Sequence, residues 1–262
     1  MEIAEALAVG RSIPLPIVDL CQDLGVEIHR SQTGRARALL VDAKNNPKVL
    51  LPLRDKGPAE FTLWERFLIA HELGHLVLHH QGVAKPKNPS EYWKTERLCD
   101  AFARWLLVPE SRFGELGRQE ARTAAHSLNL TRYLESNAGI NWAGAAMRVT
   151  DWHCDVTFLQ LRRELGNTLK VCFCSTPKEI GRKIPISDPL ATALVNRGGK
   201  RTLEALPAEL LGCFPSLSEV SSCVMMGSLT DFRLAVASNP NTRTPSLESD
   251  PRLMRESLVS RV

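Results

Sequence analysis

Apolar and polar positions change period along this chain, and the changes divide it. Residues 1–29 read as helical, broken by Pro-Leu-Pro at 14–16. In ALLVDAKNNPKVLLPL (38–53) two apolar runs flank Asn-Asn-Pro, which predicts a β-hairpin. FTLWERFLIAHELGHLVLHHQG follows as a strong helix, with Thr62 and Glu65 forming a T-x-x-E capping box and Gly82 supplying the stop. After a loop, QGVAKPKNPS, a second helix runs through EYWKTERLCDAFARWLLVP, from a Ser90 cap to a halt before Pro109. Leu98, Phe102 and Leu106 repeat on it at helical spacing. Residues 115–150 are again helical in character.

Near Asp151 the period shortens. WHCDVTFLQLR alternates like a strand, TLKVCFCST reads as a second strand, and SDPLATALVNRG as a capped helix. CVMMGSLTDFRLAVAS reads as a hairpin around Gly227 and Ser228. From Asn239 the chain is rich in Pro, Ser, Thr and Asn, which predicts a mobile tail. Three segments result: 1–150, 151–238 and 239–262.

Composition narrows the class only a little. With 44% apolar and 24% charged residues the 262-residue chain is that of an ordinary soluble protein. A net charge of +4 permits contact with nucleic acid without arguing for it. No leader pattern opens the chain and no stretch reaches membrane-spanning length, so a cytoplasmic protein without a membrane partner is expected. Seven cysteines, an odd number without framework spacing, fit a reducing compartment. Cys172 and Cys174, as C-x-C on a strand, should point to one face; they read as core packing, with a metal or redox site as the alternative.

Candidate chemistry concentrates in HELGHLVLHH (71–80). On a helix His71 and His75 are i and i+4, so both imidazoles project from one face toward one ion. Glu72, next to the first ligand, is placed to act as a general base. H-E-x-x-H is the zinc-peptidase pattern. A catalytic zinc needs a third protein ligand and an open position for water. His79 lies another ~6 Å along the helix axis beyond His75, too far to share the ion. His79 and His80 therefore read as helix-end residues that suit the dipole. Glu96 on the second helix, 21 residues after His75, is the better third ligand. Asp100, one turn later, can accept the other ring N–H of a ligating histidine. Mixed His and Glu ligation favours zinc, with manganese as the alternative.

These phrases, RFLIAHELGHLVLHH and ERLCDAFARWLLVP, resemble the ImmA/IrrE family of bacterial metallopeptidases over about residues 10–150. The resemblance implies His71, His75 and Glu96 as metal ligands and Glu72 as base. Phe102, Ala103, Leu106, Leu107 and Pro109 match its structural positions. Cys99 stands where the family usually has alanine, and Asp100 where it usually has asparagine. Cys99 follows Glu96 by three residues and so lies beside it, which leaves two readings: an inhibitory fourth ligand, or a small buried residue.

The family's members cut a helix-turn-helix repressor, often encoded next door, so a protein partner of that kind is implied. The stretch 130–152, with Gly139, Ile140 and Arg148, is similar to a helix-turn-helix segment, for which a structural role is favoured over DNA reading. Residues 151–238 resemble a GAF-like sensor by pattern of elements. A small-molecule or nucleic-acid signal is implied there, with Arg162, Arg163, Arg182, Lys183, Arg197, Lys200 and Arg201 offering positive charge. A peptidase joined to a small sensor also looks like the CapP-type regulators of anti-phage signalling operons.

The expected fold is thus α+β: a mainly helical, zincin-like metallopeptidase domain with a small sheet, followed by a smaller α+β GAF-like domain. The expected function is metal-dependent cleavage of a repressor. One alternative is a non-catalytic, ligand-sensing transcriptional regulator that keeps a structural metal; another is a repressor-binding module without turnover. Both make Glu72 dispensable.

Overall fold

The structure, a computed structural model, describes residues 1–31, 38–53, 61–119, 123–153, 156–164, 168–175, 183–185, 220–227 and 231–238. The chain divides into two compact units, one of Met1–Ala121 with His126–His153 and one of Arg122–Ala125 with Cys154–Val262. Its fold is mixed α+β. The anticipated helix at 187–198, the tail from 239, and the side chains of Arg163, Arg182, Lys183, Arg197, Lys200 and Arg201 lie outside the described residues.

The first unit opens with α1 (Glu2–Ala8) and α2 (Ile17–Asp23), on either side of the proline-rich break. The helical expectation for residues 1–29 fails at its end, because Glu27–Ser31 is a strand, β1. It runs parallel to β3 (Lys48–Pro52), pairing Ile28 with Val49 and Arg30 with Leu51. Neighbouring backbone, not local propensity, decides such a short segment. The expected hairpin forms between β2 (Leu39–Val41) and β3, with Leu40 opposite Val49. The sheet order β1-β3-β2 puts β3 in the middle, where Val49 and Leu51 are fully buried, and leaves β2 at an edge.

Helix α3 (Leu63–His80) begins at the capping box that the sequence predicts: Thr62 Oγ1 accepts from Glu65 N–H, and Glu65 accepts from Thr62 N–H at 2.9 Å. Arg30 of β1 donates to the same Glu65 at 2.6 Å, tying the helix start to the sheet. Gly82 ends the helix at φ 71°, a conformation that costs glycine nothing. Ten residues of α3, from Glu65 to Leu76, are buried, so the helix is covered on most of its circumference and forms the centre of the unit.

Helix α4 (Pro89–Leu107) packs along α3 and buries Cys99, Phe102, Ala103, Leu106 and Leu107. Its cap is Asn88, whose Oδ1 accepts from Glu91 N–H at 2.9 Å, rather than Ser90. Pro89 then occupies the first turn, where its missing N–H is no loss, and Ser90 is carried inside the helix. Helix α5 (Glu110–Arg118), α6 (Ala124–Asn137) from His126 onward, and α7 (Trp142–Trp152) complete the unit. The α6–α7 turn passes through Gly139, at φ 66°. Arg66 of α3 donates to the Gly139 carbonyl at 2.9 Å and to the Leu15 carbonyl at 2.8 Å, locking this turn to the helix core. Arg148 on α7 is fully buried between Trp105 and Trp152, a placement that serves packing rather than DNA reading.

The second unit carries an antiparallel five-stranded sheet in the order β6-β5-β4-β8-β7. Its strands are β4 (Val156–Glu164), β5 (Thr168–Cys174), β6 (Lys183–Pro185), β7 (Val220–Gly227) and β8 (Asp231–Ser238). Central β4 buries Val156, Phe158, Leu159 and Leu161, and Arg162 is exposed. Val171 pairs with Leu161 and Phe173 with Gln160, so Cys172 is the extra residue of a β-bulge. Cys172 is half-buried there, while Cys174, opposite Leu159, is buried.

Candidate metal centre

Two packed helices supply every donor. His71 and His75 lie one turn apart on α3, their rings edge to face with centroids 5.0 Å from each other. Glu96 on α4 lies between them, with Oε1 3.3 Å from His75 Nε2 and Oε2 3.6 Å from His71 Nε2. Asp100, one turn further along α4, holds His71 from behind: Nδ1 and Oδ1 are 2.8 Å apart. With that nitrogen engaged, His71 presents Nε2 toward Glu96. His71, His75 and Cys99 each offer a donor atom within 4.8 Å of the others. The structure thus brings together His71, Glu72, His75, Glu96, Cys99 and Asp100, while His79 and His80 lie outside the cluster near the helix end, His79 exposed and His80 exposed.

Do these residues fit an ion? A tetrahedral zinc with bonds of ~2.0–2.2 Å separates its ligand atoms by about 3.3–3.6 Å. The two measured Glu96–imidazole distances, 3.3 and 3.6 Å, have that spacing and exceed the ~2.7–2.9 Å of a tight charged hydrogen bond. Two imidazole nitrogens and a carboxylate are a zinc-type donor set, and the Asp100 hydrogen bond is the usual support for a ligating histidine. The residues fit.

Electrostatics in the cluster follow from burial and crowding. Burial alone would lower the His71 imidazole, but Asp100, with Glu72 and Glu96, outweighs it and raises it. Burial and the neighbouring His71 lower His75. Burial raises the Glu72 carboxyl, tempered by His71 and by the Leu40 N–H. Burial, together with the carboxylates of Glu96, Glu72 and Asp100, pushes the Cys99 thiol up. Such a group of acidic and imidazole side chains is one that a cation relieves.

Two contributors escape sequence reading. Glu72 Oε2 accepts a 2.9 Å hydrogen bond from the backbone N–H of Leu40, on the edge strand β2. No side-chain identity encodes that contact. Gly74 is the other, and its signal is present as the fourth residue of HELGH. A Cβ built there would sit 3.1 Å from the Cα of Cys99, 3.2 Å from its Cβ and 3.3 Å from Phe102. Glycine is what lets α4 approach closely enough to bring Glu96 to the histidines.

The hydrogen bond and the close approach can each be broken by one substitution. Asp100→Ala frees the His71 ring, and metal affinity measured by competition with a chelating dye should fall about 10–100-fold. Unchanged affinity would mean that Asp100 does not orient a ligand. Gly74→Ala gains about 1 kcal/mol of helix propensity but meets backbone rather than a movable side chain, where overpacking costs about 1–3 kcal/mol. The clash should win, with lower thermal stability and severalfold weaker metal binding. A stabilised protein with native affinity would show that the helices have slack.

A helix presenting His71, Glu72 and His75 against a second helix with an acidic donor is an arrangement of the metallopeptidase class. Residues 21–137 match the family described as the IrrE N-terminal-like domain of Peptidase M78, which supports the resemblance to the ImmA/IrrE metallopeptidases over that stretch. No curated protein matches the chain. Among solved structures it is similar to a Mycobacterium tuberculosis transcriptional regulator, at 11% identity and a TM-score of 0.47, covering 91% of this chain and 75% of that one. The Agobacterium tumefaciens repressor BlcR gives 12% identity and a TM-score of 0.19, covering 77% and 86%. Both likenesses are too distant to carry a functional statement. Among the described residues no helix is long and apolar enough to cross a membrane.

Proposed function

We propose that this protein is a zinc-dependent endopeptidase of the cytoplasm that cuts a helix-turn-helix repressor, switching on a stress or phage-defence response. The observation that carries the reading is the convergence of His71, His75 and Glu96 beside a buried Glu72. Held by those three residues, a zinc ion would supply Lewis-acid activation of the scissile carbonyl and of water.

The chain's own groups do the rest. Glu72 takes a proton from the attacking water and later gives it to the leaving amine. The Leu40 N–H fixes Oε2 of that carboxylate, leaving Oε1 for the reactant. Leu40 pairs with Val49 across the hairpin, yet its N–H turns away from β3 to reach Glu72. The outward edge of β2 therefore runs beside the base, where an extended substrate segment can add as a further strand. Asp100 holds the His71 ring in one orientation throughout.

Residues 151–238 are proposed as a GAF-like sensor that gates cleavage, a role supported by the separate five-stranded sheet. Its signal is a small molecule or nucleic acid, and the operon context proposed is of the CapP type. The test is cleavage of the repressor encoded beside this protein, with and without a chelator, alongside Glu96→Ala. Chelator-sensitive cleavage that Glu96→Ala loses together with its metal supports the reading. Cleavage that survives full metal removal would end it.

A further inference from the structure

We propose that Tyr92 and Trp93, in the first turns of α4, form the subsite that receives a large apolar side chain of the polypeptide substrate, one or two residues from the bond that is cut. This rests on the metallopeptidase reading of the site and adds to it what the protein selects.

Tyr92 and Trp93 precede Glu96 by four and three positions, so they share its helix face and stand about 4.5–6 Å from it along the axis. Their rings meet edge to face, with centroids 5.4 Å apart. Tyr92 is nevertheless 42% exposed and Trp93 53%, so neither ring is spent on the core. Single exposed apolar residues are ordinary, whereas contiguous ones mark a contact surface.

The register of the two helices puts this pair at the open end of the donor set. His71 meets Asp100, Gly74 faces Cys99 and His75 meets Glu96, so α3 and α4 run antiparallel. Continued by one turn, that register brings Tyr92 level with His79, which is exposed. The side chain of His75, nearer that end, is 26% exposed against 11% for His71. The donors are therefore most open toward the aromatic pair.

An extended chain advances about 3.3 Å per residue, so a side chain one or two residues from the bond held at the donors comes level with Tyr92 and Trp93. Two rigid rings lose little freedom when an aliphatic or aromatic side chain covers them. Nucleic-acid bases also stack on such rings, and Lys94 and Arg97 are exposed nearby. Residues 91–100, however, carry three carboxylates (Glu91, Glu96 and Asp100) against those two cations, so no basic groove runs along this helix to track a phosphate chain.

The test uses the full-length protein in its Glu72→Gln form, which holds a substrate without cutting it, and the repressor encoded beside this protein. Affinity for labelled repressor, read by fluorescence anisotropy, should fall about 10–100-fold when Trp93→Ala is added, with metal content unchanged. Trp93→Phe should keep most of the affinity. In the cutting protein Trp93→Ala should lower kcat/KM by a similar factor, chiefly through KM. Once mass spectrometry has located the cleaved bond, each large apolar residue within two positions of it is changed to alanine. One such change should cost the wild type about 10–100-fold and Trp93→Ala less than about threefold, the coupling expected of two groups in contact.

Unchanged affinity and kcat/KM in Trp93→Ala would overturn the subsite while leaving the peptidase reading intact, as would a fall that couples to no substrate residue. Loss of metal from Trp93→Ala would reduce the residue to a structural role and overturn the proposal. Oligothymidine binding that Trp93→Ala abolishes, at unchanged repressor affinity, would give the surface to nucleic acid and overturn it equally. A metal-loaded wild type that cuts no repressor would overturn this proposal and the metallopeptidase reading together.

Discussion

Glu72→Gln is expected to bind metal like the wild type and to lose about 10²–10⁴-fold in the rate of repressor cleavage, the usual worth of a positioned acid–base group. The amide keeps the shape of the carboxylate, and its carbonyl oxygen can still accept the Leu40 N–H that holds Oε2 at 2.9 Å. Fold and edge-strand position are thereby preserved, and only the capacity to take a proton is removed. Metal content and thermal midpoint serve as controls, with turnover of the cognate repressor as the readout. A variant cutting at the wild-type rate would return the protein to the binding-module or ligand-sensing readings, in which Glu72 has no task.

Arg148→Ala is expected to cost about 3–5 kcal/mol of stability, read from the shift of a urea midpoint, because it breaks a buried ionic network from one side. Its guanidinium lies 3.9 Å from the Trp105 ring centroid and 4.3 Å from that of Trp152, while Nε donates to the Val108 carbonyl at 3.1 Å. Glu110 accepts from Nη2 at 2.5 Å and from Trp152 Nε1 at 2.9 Å. Burial would raise the Glu110 carboxyl, but Trp152 and Arg148 hold it below its ordinary value. Val108 caps α4, so losing Arg148 leaves a bare carbonyl at the end of the helix that carries Glu96 and Asp100. A base-reading arginine on a free surface would change stability by no more than about 0.5 kcal/mol. A loss that small would restore the DNA-reading alternative for the α6–α7 segment. Arg148→Lys should recover only part of the loss, since an ammonium lacks the planar fork that stacks between the two indoles.

Much of the first unit is legible locally. The Thr62–Glu65 box needs only residues three apart, and it forms as expected. The i, i+4 spacing of His71 and His75 needs only that the segment be helical, and their rings do lie on one face. Asn-Asn-Pro between two apolar runs likewise produces the β2–β3 hairpin. The N-cap of α4 falls two residues before the expected Ser90, because Asn88 and Ser90 are both good caps and Pro89 between them favours the earlier one.

What the sequence determined by itself, then, is what short-range periodicity carries: the metal helix, its cap, the hairpin, and one face bearing two imidazoles. Tertiary structure decided everything that depends on a distant partner. Glu27–Ser31 is a strand because β3 is there to pair with it, although its own residues read as the end of a helix. Cys172 is left unpaired by a bulge that exists only in the pairing of β5 with β4. The Leu40 N–H reaches Glu72 through backbone, which no residue type announces. Gly74 sets how near α4 comes, and so places Glu96 at 3.3 Å from His75 and a buried thiol beside both histidines. Period fixes which way a side chain points along its own element; only packing against another element fixes what it meets.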